Sequence, residues 1–105
     1  MGTQKLIGSL KGFAESISHE YPLRSMYLFG SRATGKVRKD SDVDLIMVSS
    51  KFRGKRRLQR SPPLYMMWDL DYPVDFVCLT PEEFRKKKNE VGIIREAIKK
   101  GIRIL

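Results

Sequence analysis

Apolar residues recur at helical spacing over residues 3–20: Leu6, Ile7, Leu10, Phe13, Ala14 and Ile17 form one stripe. Thr3 is the expected N-cap, and Pro22 stands just beyond the expected end. A short apolar run over 25–29 then reads as a first strand, broken at Gly30. Ser31 opens a turn or short helix over 31–34, and Gly35 ends it. A basic loop, 36–41, leads into a second strand over 42–48. The link between the two strands is brief, which predicts an antiparallel, hairpin-like pair.

Residues 49–63 change character, with dense charge, Gly54 and the Pro62-Pro63 pair. Two consecutive prolines argue against a continuous helix through 62–63. Leu64 to Leu70 reads as a short helix or turn presenting Leu64, Met67 and Trp68, with Trp68 assigned to the core. VDFVCL, residues 74–79, is a third strand. Thr80-Pro81-Glu82-Glu83 is a helix start, with a Thr cap, Pro at the first position and Glu at the third. A further helix is expected over 89–100, with Val91, Ile94 and Ile98 on one face and Gly101 as its stop. Residues 102–105 form a last short strand. The order is helix, strand, turn, strand, helix, strand, helix, helix, strand. It predicts an α/β (α+β) domain, a small mixed β-sheet with helices mainly on one face, over residues 1–105.

Two carboxylates sit where this pattern least accommodates them. Asp42 and Asp44 are two residues apart at the start of an apolar strand, so they share one face. Carboxylates beside a buried strand need a partner. A hard divalent cation, held by carboxylates together with substrate phosphates, is the simplest one. The turn at Gly30-Ser31 offers the complement, backbone N–H groups and a hydroxyl where a phosphate can rest. Asp75 lies near the start of the third strand. If that strand neighbours the second, three carboxylates converge and repel one another unless cations neutralise them. Two ions can bridge such a set and clamp the attacking and leaving oxygens of a phosphoryl transfer. Asp75, on the separate strand, is then the natural acceptor for the proton of an attacking hydroxyl.

Composition narrows the setting. The chain has 105 residues and a net charge of +9, which favours nucleotides, nucleic acid or an acidic protein as partners. One cysteine, Cys78, excludes an internal disulfide and reads as an inert buried thiol. His19, the single histidine, is assigned to the surface. There is no transmembrane run and no signal-peptide core, so a cytoplasmic protein without membrane contact is expected. The basic stretch 51–60 has only Phe52 to stack on a base. It reads as a solvated or partner-facing loop.

Gly30-Ser31, ten residues, then Asp42-Val43-Asp44 is similar to the Gly-Ser-x10-Asp-x-Asp signature of the nucleotidyltransferase superfamily that includes DNA polymerase β. With VDFVCLTPEEF and IREAIKKGIRIL, the chain resembles the minimal nucleotidyltransferases over about residues 5–105. The resemblance implies a polymerase β-like fold and transfer of a nucleoside monophosphate from Mg²⁺–nucleoside triphosphate to a hydroxyl, with release of pyrophosphate. It implies that Gly30 and Ser31 hold the β- and γ-phosphates, with Arg32 and Lys36 as further phosphate contacts. Asp42 and Asp44 would ligate two Mg²⁺ ions. Asp75 would ligate the catalytic one and help deprotonate the acceptor. Such proteins are typically paired with a helical HEPN-domain protein. They act there as antitoxins and can transfer AMP from ATP to a tyrosine of that toxin. Two other readings stay open: an antitoxin that works by contact alone with an idle metal site, and a basic nucleic-acid-binding accessory protein. The nucleotide, the acceptor and any homo-oligomer are left undecided by the residues.

Overall fold

The apolar stripe near the N-terminus folds into α1 (Gly2–Ile17), with Leu6, Leu10, Phe13, Ala14 and Ile17 all buried. Thr3 is not its cap, because the helix is already running at Gly2. The structure is a computed structural model in which residues 2–35 and 42–105 are described. Strand β1 (Ser25–Phe29) leads into the short α2 (Ser31–Thr34), and β2 (Val43–Val48) follows. β1 and β2 are antiparallel, with Ser25 opposite Val48 and Phe29 opposite Asp44.

A crossover then carries the chain to β3 (Val74–Leu79), which runs parallel to β2. A parallel neighbour needs a connection of a dozen residues or more. Here it contains a 3-10 turn (Ser50–Phe52), α3 (Arg57–Arg60) and α4 (Pro62–Met67). The two prolines open α4 instead of interrupting a longer helix. Helices α5 (Pro81–Lys87) and α6 (Ile93–Lys100) precede β4 (Ile102–Arg103), which pairs antiparallel with β1. The result is a mixed four-stranded sheet in the order β3-β2-β1-β4.

Strand periodicity divides the core in two. Val43, Leu45 and Met47 of β2 face α1 and the crossover, with Phe76, Cys78, Phe52 and Leu64 in the same cluster. Ile46 and Val48 face the other way, against Ile94 and Ala97 of α6 and near Phe84 of α5. The larger core lies on the α1 face, and α5 and α6 cover the second face as well. Leu10, Leu28, Leu45 and Leu64 have no exposed surface, and each such burial stabilises by about 2 kcal/mol.

Two further expectations change. Val91 is 91% exposed, since α6 begins only at Ile93 after Gly92; its inward face is Ile94, Ala97 and, partly buried, Ile98. The stretch 51–60 is not wholly a solvated loop. Phe52 is fully buried and stacks on Tyr21 at 5.9 Å, so its ring is not available to a base. Arg60 is buried too. Its Nε donates to the Lys55 carbonyl (2.9 Å) and Nη1 to the Cys78 carbonyl (3.1 Å). Nη1 and Nη2 also donate to the Glu83 carboxylate (2.6 and 3.1 Å). One guanidinium thus ties the crossover to β3 and to the start of α5. Glu83 also completes the predicted capping box, accepting from the Thr80 N–H at 2.9 Å and donating its own N–H to Thr80 Oγ1 at 3.1 Å.

Trp68 packs edge-on to Phe13 and Phe76 at the border of the larger core, and its indole N–H donates to the Tyr72 carbonyl at 2.8 Å. His19 is exposed. Burial pushes the Cys78 thiol up to about 12, which keeps it protonated and unreactive. Among the described residues no helix is long and apolar enough to cross a membrane.

Candidate active site

The end of β1 and the beginnings of β2 and β3 lie at one end of the sheet. This follows from the registers: Phe29 is opposite Asp44, and Asp44 is beside Asp75. Side chains in register on adjacent strands project to the same face, with backbones about 5 Å apart. Asp44 and Asp75 are on the face covered by α5 and α6 further along the strands. Asp42 stands one residue before β2 begins, not within it as expected; it is exposed, and its charge acts on Asp44.

Asp44 is half-buried while Asp42 and Asp75 are exposed. Its carboxyl is raised above the usual range, by burial first, then by the charges of Asp75 and Asp42. Mutual repulsion among these three groups is therefore present in the folded chain. Among the described residues, no group of three His, Cys, Asp or Glu side chains is gathered closely enough to hold a metal ion unaided. The donor set nonetheless suits Mg²⁺, which takes one or two carboxylates and completes its shell with water and phosphate oxygens.

Gly30 is where the turn meets this cluster. Its φ of 75° lies in the left-handed region that favours glycine. A Cβ placed there would collide with the Asp44 carboxylate. The turn and the carboxylate thus approach as closely as they do because residue 30 has no side chain. The Gly30 carbonyl accepts from the N–H groups of Ala33 (3.1 Å) and Thr34 (3.2 Å), which starts α2. The first N–H of a helix has no carbonyl partner within it, and here it belongs to Ser31. The chain leaves α2 through Gly35, also left-handed at φ 83°. The Arg32 guanidinium lies over the Tyr72 ring, 4.7 Å from its centre, which fixes it beside the strand carrying Asp75. Lys36 lies outside the described residues.

Tyr65 is a member of this site that sequence reasoning missed. It sits on α4, ten residues before Asp75. Its hydroxyl donates to Asp75 Oδ1 at 3.3 Å and accepts the Phe76 N–H at 3.4 Å. The ring packs edge-on to Phe76 at 5.0 Å. Burial, ahead of the nearby Asp75 charge, raises the phenol above its ordinary value, so it remains a donor at neutral pH. Neither spacing nor periodicity marks Tyr65, since its contact depends on how the crossover packs. On the other side of Gly30, a cavity of about 330 Å³ opens between α2 and α6, lined mostly by apolar groups including Phe29, Ile93 and Ala97.

The arrangement combines a left-handed glycine turn, an acidic cluster and a hydrogen-bonded carboxylate at one sheet end. Residues 10–104 match the family described as nucleotidyltransferase domain. The fold is similar to that of a candidate nucleotidyltransferase from Sulfolobus solfataricus known from its crystal structure. That match has a TM-score of 0.66 and 20% identity over 96% of this chain and 80% of the other. No match was found among curated proteins.

Proposed function

The chain belongs to the nucleotidyltransferase-domain family, and on that premise we propose that it moves AMP from ATP onto a hydroxyl of a partner protein. The observation that carries this reading is the register of Asp44 with Asp75 beside Gly30, at the sheet end where Asp42 also lies. The Gly30-Ser31 turn holds the β- and γ-phosphates with backbone N–H groups and the Ser31 hydroxyl, and Arg32 adds positive charge next to them. The apolar cavity on the α6 side of Gly30 is the space for the nucleoside. Asp42, Asp44 and Asp75 would hold Mg²⁺, which when bound neutralises the charge that develops on the phosphate oxygens.

The acceptor oxygen attacks the α-phosphorus. The bond from that phosphorus to the bridging oxygen of the β-phosphate breaks, and pyrophosphate leaves with the electron pair. The acceptor proton passes to Asp75, whose carboxylate Tyr65 orients. In this reading the acceptor is a tyrosine of a HEPN-domain toxin, the chain is its antitoxin, and the setting is the cytoplasm.

The test is incubation with Mg²⁺, α-labelled nucleoside triphosphates and the protein encoded beside it. Label from ATP should appear on the partner and vanish with Asp42→Asn or Asp44→Asn. A wild-type chain that blocks the partner without labelling it would instead act by contact alone.

A further inference from the structure

At the opposite end of the sheet from the carboxylates, four cations converge on one cavity of about 280 Å³: Arg24, Arg85, Lys88 and Arg103. They come from three separate parts of the chain: the entry to β1, helix α5 with the residue that caps its end, and strand β4. The last-turn position of Arg85 on α5 is ordinary, since cations are favoured at helix C-termini. That does not account for Arg24 and Arg103. Among the described residues no carboxylate lines the cavity. Glu82, outside it, reaches Arg85 only at 3.8 Å and is bound more closely by Arg53. The walls hold the cations in place. Arg103 lies over the Tyr27 ring at 5.9 Å, and its Nε donates to a main-chain oxygen of Leu105, the last residue, at 2.7 Å. Lys88 lies over the Phe84 ring at 6.0 Å. The two rings are 5.6 Å apart and form the floor.

Four cations around a cavity whose lining has no acidic side chain make a positive field that attracts an anion. Three guanidiniums favour phosphate oxygens, which they bind in pairs of charge-assisted hydrogen bonds. The floor rings are largely covered, so the cavity offers no open face for stacking a base. From Phe29 and Asp44 at one end to Ser25 and Val48 at the other is four residues of strand, or about 13 Å. The cavity is therefore separate from the turn at Gly30.

We propose that this cavity is a second phosphate-binding site, taking the phosphate chain of a free nucleotide or of single-stranded RNA. The test uses the full chain in EDTA, so that the carboxylate site has no divalent ion. Pyrophosphate is titrated while backbone amide NMR shifts are followed. Binding should move the amides of residues 24–27 and 84–88. The double substitution Arg24→Gln/Arg103→Gln should weaken it at least tenfold. Both side chains are exposed, so the variant should melt no lower than wild type. Lys11→Gln/Lys99→Gln, which removes the same charge elsewhere, should weaken it less than twofold. A labelled RNA decamer and ATP, titrated in parallel, identify the source: whichever loses affinity in the first double variant alone is the ligand. Shifts confined to residues 30–34, no shifts, or equal weakening by both double variants would each overturn the proposal.

Discussion

Asp44 and Asp75 are register partners on the parallel strands β2 and β3, and their carboxylates face the same side of the sheet. The folded chain therefore carries a like-charge contact that the unfolded chain lacks. Burial raises the Asp44 carboxyl first, and the charges of Asp75 and Asp42 add to it. The sign of its effect on stability follows from the raised native carboxyl. Ionised Asp44 opposes folding at neutral pH, and that opposition fades as pH falls through its elevated native pKa. Asp44→Asn should thus melt at a higher temperature than wild type at pH 7, while nucleotidyl transfer falls by about 10²-fold or more. Calorimetry and a label-transfer assay on the same preparation check both. Lower thermal stability in the variant would remove the repulsion argument.

Gly30 and Gly35 are both left-handed, at φ 75° and 83°, but only Gly30 approaches a carboxylate. Gly30→Ala and Gly35→Ala should each lose about 1 kcal/mol from backbone strain. Gly30→Ala should lose more, because its Cβ must displace Asp44, and it should also lose transfer activity. Gly35→Ala should remain active. Urea denaturation of the two variants gives the difference directly.

Arg60 holds Glu83 at about 2, well below the usual carboxylate range. A depressed native carboxyl contributes stability that is present above about pH 4.5 and is lost as pH falls toward 2. Glu83→Gln should cost about 3 kcal/mol at neutral pH, since it strands a buried guanidinium. It should also flatten the loss of stability between those two pH values. Melting curves across the acid range, wild type against variant, test the pair.

Tyr65→Phe removes the hydroxyl that donates to Asp75 and keeps the ring against Phe76. One such hydrogen bond is worth about 1 kcal/mol, or roughly a fivefold change. That loss should appear in kcat with the KM for nucleotide unchanged, and melting should move little because the ring stays packed. A variant with wild-type kcat would make Tyr65 a packing residue only.

Much of the fold is legible in the chain because each element carries its own local signal. The α1 stripe, the capping box at Thr80 and the alternation in β2 each state a period or a cap that neighbouring residues alone define. The Gly30-Ser31 and Asp42-Asp44 pairs are legible for the same reason, since they are separated by a short link and their spacing survives folding. Arg60 shows where such reading stops. As one of several basic residues over 51–60, nothing local separates it from Arg56 or Arg57, both exposed. Only the packing of the crossover beneath β3 brings it to Glu83 and to the Cys78 carbonyl. Val91 errs in the opposite direction: it fits a helical period that Gly92 interrupts.

The sequence by itself determined which residues stand as candidate donors to a phosphate and a divalent ion, because glycine, serine and carboxylates at fixed short spacings bring their chemistry with them. Only the tertiary structure decided which of them meet. The parallel crossover sets Asp75 beside Asp44, thirty-one positions apart in the chain, and packing of α4 lays Tyr65 against that carboxylate. The same sheet carries Arg24 and Arg103 to its far end. Those juxtapositions are set by strand order and helix docking, and these depend on burying two apolar faces at once, a property of the whole chain.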